Sequence, residues 1–198
     1  MLVENAVHAS VQSLVELDAA KARLVIRNDT HVDIMETEIE DRAVHLLSMQ
    51  KPETQDLRLI SSISKVVTDL ERIADNATNI AEVTLKLEGQ RLIKPLVDIP
   101  RMAQCSVAML HDSLQALIQR DAAMARAVAA RDDEVDDIYA ALSEELLVLM
   151  DRHRGSERLA QCVHLMFVAR YLERIGDHST NICERVVYLV NGKRVRLG

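Results

Sequence analysis

One pattern is written twice in this chain, and it restricts the fold more than any other feature. Residues 69–82 read DLERIADNATNIAE and residues 171–184 read YLERIGDHSTNICE. The copies share Leu-Glu-Arg-Ile, then Asp, Thr-Asn-Ile and a closing Glu, all in register. At 3.6 residues per turn, Glu71, Asp75, Asn79 and Glu82 run along one side of a helix, and Glu173, Asp177, Asn181 and Glu184 do the same. The repetition extends well beyond the motif. At one constant spacing His8 matches His111, Asp18-Ala19-Ala20 matches Asp121-Ala122-Ala123, Asp29 matches Asp132, and Val32-Asp33 matches Val135-Asp136. The register slips by one residue in the turn between the second and third helices of each half. A repeat of this kind decides architecture before any local propensity does. Each half reads as helix, helix, long helix, so the expected fold is all-α: two tandem pseudo-symmetric three-helix bundles, six helices in total.

Apolar spacing supports that reading. Val7, Val11, Leu14, Leu17, Ala20 and Leu24 place one amphipathic helix over 2–27, interrupted near Asn28. A second is expected from Asp29 to Met49, with Val32, Ile39, Ala43 and Leu46 toward the core. Lys51-Pro52 stops it, because proline cannot continue a helix. The third runs from about Glu53 to Glu88 along the seam Ile60, Ile63, Val67, Leu70, Ile73, Ala77, Ile80, Thr84 and Leu87. In the second half the helices are expected over 102–130, 132–152 and 157–190. A His153-Arg154-Gly155 turn separates the last two, with Ser156 as N-cap. The stretch Gly89–Pro100 holds a helix-stopping Gly and two prolines. The halves are therefore expected at 1–90 and 102–198, with a linker at 91–101. Only 2% of residues are aromatic, so the core must be Leu, Ile, Val, Met and Ala, which suits helix-on-helix packing.

The formal charge of −7 argues against a nucleic-acid partner, because phosphate binding needs a basic surface. Cys105, Cys162 and Cys183 are scattered, with no C-x-x-C, so no disulfide framework is expected and a reducing cytoplasm is the default location. No apolar run is long enough to span a membrane, and no basic leader with a cleavage site opens the chain. Any membrane association is expected to go through a partner.

The candidate site is carboxylate. Each half carries two acidic pairs at i, i+4: Asp29/Asp33 and Glu71/Asp75, then Asp132/Asp136 and Glu173/Asp177. Glu36 and Glu40 extend the row on the second helix. If the second and third helices are neighbours, the two rows can face each other. Like charges at this spacing weaken a helix by roughly 0.2–0.5 kcal/mol per pair. A hard cation removes that cost, and Mg, Mn, Ca or Fe all accept oxygen ligands. Asn79 and Asn181 could orient the carboxylates, and His178 could ligate or orient. The bland reading is a solvated acidic face with Arg72 and Arg174 as counter-ions. A di-iron enzyme is argued against, since no Glu-x-x-His occurs anywhere in the sequence. No P-loop, dinucleotide fingerprint or nucleophile elbow is present either. Cys183 matches Ala81, which points to a small buried residue, and the matched His8 and His111 read as surface or interface residues.

At these residues the chain resembles the PhoU family of phosphate-transport accessory and regulatory proteins. E-R-I-[AG]-D-x-x-T-N-I-x-E stands on the third helix of each half, and the resemblance covers essentially the whole chain. The family's [ED]-x-x-x-D metal motifs fall on Asp29/Asp33, Glu71/Asp75, Asp132/Asp136 and Glu173/Asp177. Glu36, Asn79, Glu82, His178, Asn181 and Glu184 are the secondary candidates. Asn76 stands opposite His178, and Tyr139 opposite Glu36, so the two sites are not expected to be equivalent. The resemblance implies multinuclear metal clusters, iron before Mn, Zn, Mg or Ca. It implies a cytoplasmic, non-catalytic homodimer that links the ATPase and membrane subunits of a phosphate ABC transporter to a sensor histidine kinase. Such a protein keeps the phosphate-starvation response off when phosphate is plentiful. The rival function is a metal-dependent phosphate- or phosphoester-handling protein, with two metals polarising a phosphoryl group on the bundle surface.

Overall fold

The computed structural model describes residues 2–49, 52–153 and 157–198. Its helices are α1 (Leu2–Glu16), α2 (Ala19–Met49), α3 (Thr54–Lys86), α4 (Asp98–Gln119), α5 (Ala122–Ala129), α6 (Asp132–Arg152) and α7 (Glu157–Asn191). No strand occurs among the described residues. In the first half α1 and α2 pack on α3, and in the second α4, α5 and α6 pack on α7. The two bundles meet chiefly along α3 and α7, with α1 against α4 as a second contact. One hydrophobic core runs through both, from Val7 and Leu14 through Ile73 and Ile80 to Leu110, Leu165, Leu172 and Ile175. Neither half buries its apolar face alone, because each long helix presents one side to its own bundle and another to its twin.

The first break in each half lies earlier than periodicity suggests. Leu17 and Arg120, matched positions of the repeat, both take left-handed backbone, at φ 52° and 53°. That conformation ends a helix and costs a side-chain-bearing residue about 1 kcal/mol or more. The following aspartates then cap the next helix. Asp18 Oδ1 accepts the Lys21 N–H at 3.0 Å, and Asp121 Oδ1 accepts those of Ala123 and Met124 at 2.8 and 2.9 Å. The corner resets the helical phase. Ala22 and Val25 are buried instead of Ala20 and Leu24, and Leu24 is 50% exposed. No interruption occurs at Asn28, and α2 is continuous through it. The expected helix over 102–130 is likewise two pieces, α4 and α5, so the second half's middle helix is broken where α2 is not. Asp121→Ala is expected to cost about 1 kcal/mol, since two helix-start donors lose their acceptor, and a thermal melt would read it.

Leu46, expected in the core, is 51% exposed, because the far half of α2 extends beyond the neighbours that bury its near half. Pro100 falls within the first turn of α4, where a missing N–H is no loss. The link between the halves is residues 87–97, and it is not a free tether. Gln161 of α7 accepts the Ile93 N–H and donates to Gln90 Oε1 and Arg91 O at 3.2 and 3.3 Å. Lys94 pairs with Asp98 at 3.1 Å and with Glu145. Lys51, Arg154, Gly155 and Ser156, where two turns were expected, lie outside the described residues.

Candidate metal centres

The acidic rows come together as the spacing predicts. In the first half Asp29 on α2 feels the charges of Asp33 and of Asp75 on α3, while Glu71 faces Glu36. In the second half Asp132 and Asp136 on α6 face Asp177 on α7, and Glu173 stands among all three. The rows adjoin because α2 lies on α3 and α6 on α7. Each cluster grades from a buried glutamate to exposed aspartates. The Glu173 residue is 8% exposed, and the Glu71 side chain 16%. Asp33, Asp136 and Asp177 are exposed.

Burial raises the cost of charge at the inner ends. It pushes Glu71 up to about 7, with Asp75 and Glu36 adding to it and Arg72 opposing. Glu173 is also pushed up to about 7, by burial first and then Asp177, against the pull of Arg170. Asp132 rises to about 6 through burial and the charges of Asp177 and Asp136. Asp29 and Asp136 are raised for the same reasons, burial first. These are anionic clusters short of positive charge.

Hydrogen bonding tells the same story. Glu71 Oε2, Asp132 Oδ1, Glu173 Oε2 and Thr180 Oγ1 are buried and accept or donate no hydrogen bond. Arg72 Nε stands 3.2 Å from Glu71 Oε2 as an ion-pair partner, without hydrogen-bond geometry. Arg72 also reaches Asp75 at 3.3 Å. In the second half Arg170, one turn earlier on α7, pairs with Glu173, in the place the repeat would give to Arg174. The i, i+3 spacing of Arg170 and Glu173 was the available signal. Buried carboxylate oxygens without donors fit a hard cation, because that is the partner they lack. Among the described residues no three such side chains form a ready-made cage, so the carboxylates would have to close around an ion.

The secondary candidates divide. Asn181 and Glu184 border the second cluster, where a groove of about 1000 Å³ opens beside Asp132, Asp136 and Asp177. Asn181 also donates to Asp69 at 3.3 Å. His178 is turned into the α3–α7 seam, its Nδ1 3.0 Å from Asp69 Oδ1, which gives it a role between the halves. Its counterpart Asn76 is buried and donates to the Arg72 carbonyl at 2.7 Å. Glu36 faces Glu71, Asn79 is half-buried and Glu82 is exposed. Cys183 is fully buried and its thiol is pushed up to about 12 by burial, as suits a packing residue. His111 pairs with Glu4 at 3.0 Å across the α1–α4 contact.

Gly176 shows how tightly the second cluster is drawn. A Cβ there would stand 2.7 Å from Asp132 Oδ1. The first half has Ala74 at that position, so Asp132 approaches its long helix more closely than a methyl group allows. Gly176→Ala is expected to raise helix stability by up to about 1 kcal/mol while pushing the Asp132 carboxylate outward. A higher melting temperature with an altered Asp132 titration would report both.

Fold and site together define a duplicated helical bundle with one buried-to-exposed carboxylate cluster per half. The chain belongs to the PhoU family: the PhoU domain model matches residues 1–84 and 99–186. A phosphate-specific transport system accessory protein PhoU homolog of Clostridium acetobutylicum is 36% identical over 197 residues, covering 99% of this chain and 89% of that protein. The crystal structure of PhoU from Pseudomonas aeruginosa superposes with a TM-score of 0.92 at 35% identity, over 97% of this chain and 91% of that one. The phosphate transport system regulatory protein PhoU from Streptococcus pneumoniae gives 0.90 at 32% identity, over 99% and 91%. A phosphate-transport accessory and regulatory role follows from that membership. No described helix is long and apolar enough to cross a membrane.

Proposed function

We propose that this chain is a metal-binding cytoplasmic regulator of phosphate uptake, acting as a non-catalytic adaptor between a phosphate ABC transporter and a sensor histidine kinase, and working as a homodimer. It holds the phosphate-starvation response off when phosphate is plentiful. The observation that carries the reading is the pair of matched, buried carboxylate oxygens that accept no hydrogen bond, Glu71 Oε2 and Glu173 Oε2, each at the inner end of an acidic row.

A bound multivalent cation, iron by family resemblance, supplies the positive charge these rows lack. Asp29, Asp33, Glu71 and Asp75 would hold it in the first half, and Asp132, Asp136, Glu173 and Asp177 in the second. With the rows neutralised, α2 and α6 can sit close against α3 and α7, and the faces they present acquire a fixed shape. A transporter or kinase surface then meets a defined partner. Without that charge the rows repel, and the same faces loosen.

The test is complementation. In cells lacking their own copy, a starvation-promoter reporter should stay silent in high phosphate with the wild-type chain. It should be derepressed when Glu71, Asp75, Glu173 and Asp177 are all Ala, with the folded protein still present by circular dichroism. Full repression by that variant would remove the carboxylates from the function. Loss of co-purification with both the transporter ATPase and the kinase, at high and low phosphate alike, would remove the adaptor role.

A further inference from the structure

One wall of the acidic groove in the second half is built by the chain's own last residues, 194–198. At the end of α7, Gly192 takes φ +69° and turns the backbone, with Arg58 packed against the turn. The following residues run back along α7. The Leu197 N–H donates to Glu184 Oε1 at 3.1 Å, about two turns before the helix ends. Gly198 reaches Thr180 and Asp132, where a Cβ would stand 3.6 and 3.7 Å from their side chains.

The segment Arg194-Val195-Arg196-Leu197 alternates as an extended strand does. Val195 and Leu197 are half-buried and pack on the core, while Arg194 and Arg196 are exposed at the groove. The Arg194 guanidinium lies over the Tyr188 ring, 5.6 Å from its centroid. The rim it faces carries Asp132, Asp133, Asp136, Asp177 and Glu184. One backbone hydrogen bond, two apolar anchors, an arginine stacked on Tyr188 and a second arginine in the same acid-lined groove amount to strand-like peptide recognition, without a sheet edge.

The first half has no such seat. Where the second has Ala130, Asp133 and Tyr188, the repeat places Arg27, Thr30 and Lys86, exchanging an acidic and aromatic rim for a basic one. The chain after α3 also leaves for the other bundle, where Gln161 holds it. The occupied groove is thus a property of the second half's own side chains.

We propose that this groove is a binding site for an extended protein segment of alternating basic and apolar residues. Residues 194–197 occupy it in cis, and a partner's segment of the same alternation replaces them. The tail sets the threshold for that exchange, since a competitor must match its anchors and charges. Bound in the groove, the partner segment lies directly over Asp132, Asp136 and Asp177. The inference does not rest on cation binding and is tested in chelator.

The probe is a labelled, end-capped peptide of sequence Lys-Arg-Val-Arg-Leu-Gly, titrated into the full chain and into the full chain carrying Val195→Asp and Leu197→Asp. Those substitutions remove the apolar anchors and set new negative charge against the acidic rim, so the tail leaves while the bundles stay folded by circular dichroism. The peptide should bind the variant at least about tenfold more tightly than wild type, in line with removal of an intramolecular competitor. A peptide with both arginines changed to Glu should not bind. Hydrogen exchange gives an independent reading: the Leu197 amide should be protected in wild type and exchange freely in Glu184→Ala. Equal peptide affinity for the two chains, indifference to charge reversal, or an unprotected Leu197 amide would each overturn the proposal. Cross-links showing the tail in a second copy's groove would overturn the cis arrangement.

Discussion

Glu173→Gln is expected to raise the stability of the metal-free chain at pH 8 by about 1–3 kcal/mol and to leave it unchanged at pH 5. The wild-type carboxyl titrates near 7 in the folded chain, against an ordinary 4.5, chiefly because it is buried and then because Asp177 is beside it. Between those values the folded chain keeps a proton that the unfolded chain has released. Folding is therefore favoured at low pH. The stability this gives falls as pH rises from about 4.5 through 7, and it is gone above that. Glutamine has the shape of the protonated acid and never ionises, so it removes the loss at pH 8 and changes nothing at pH 5. Glu71 carries the same argument in the other half, and Asp132 adds a smaller step below about 6. Denaturant unfolding in chelator, on wild type and on Glu71→Gln/Glu173→Gln, would read the effect. The double variant should be nearly flat above about pH 6, where wild type slopes, and keep the shallower step of the aspartates below it. A double variant that keeps the wild-type slope would show that these glutamates are not the strained groups.

That Glu71 shares a side with Asp75, and Glu173 with Asp177, was legible in the repeat, because a helix converts spacing into a face; their burial was not, since that face stands well round from the apolar seam. Two copies of LERI, one turn from Asp, showed which carboxylates share a side, while the packing of α2 on α3 and of α6 on α7 that brings the rows together came from the structure. Helix boundaries were less legible. The corner at Leu17 and Arg120 is set by left-handed backbone at residues with no glycine to mark it, so periodicity read straight through. The matched Asp18 and Asp121 were the signal, as N-caps, but an Asp-Ala-Ala run reads equally well as helix interior. The counter-ion in the second half was misplaced for a related reason. Symmetry pointed to Arg174, while Arg170 is the residue whose helical position reaches Glu173. What the sequence could not express was contact between distant segments. Gln161 holds residues 91–93 through bonds to the Arg91 carbonyl and the Ile93 N–H, and backbone groups carry no residue identity. The seat of the last residues was hidden for the same reason: their hold on Glu184 is a backbone N–H.

The clusters' need for positive charge leads to the largest expected effect, which is on metal content and on the stability that goes with it. Protein purified without chelator should carry iron or another transition metal in both halves. Glu71→Ala/Asp75→Ala should lose the first half's share and Glu173→Ala/Asp177→Ala the second's, as elemental analysis would show. Pairs are needed because a single carboxylate removed from a set of four leaves enough oxygen to hold a hard cation weakly. Binding that favours the folded chain stabilises it, by about 2.7 kcal/mol at a free concentration one hundred times the dissociation constant. Wild type should therefore melt higher with metal added, and the quadruple variant should not respond. The quadruple variant should also be more stable than metal-free wild type at pH 8, because truncation relieves the repulsion and desolvation that push Glu71 and Glu173 up. A variant that merely misfolds loses metal and stability together. A variant that loses its sites loses metal and gains stability in its absence. The halves should differ in rate as well, since the tail lies over the second cluster alone: chelator should strip the first half sooner, and Val195→Asp/Leu197→Asp should erase the difference. Metal retained in the quadruple variant would place the ions elsewhere on the chain. Wild type free of metal, with no shift in melting when it is supplied, would leave both rows as solvated acidic faces.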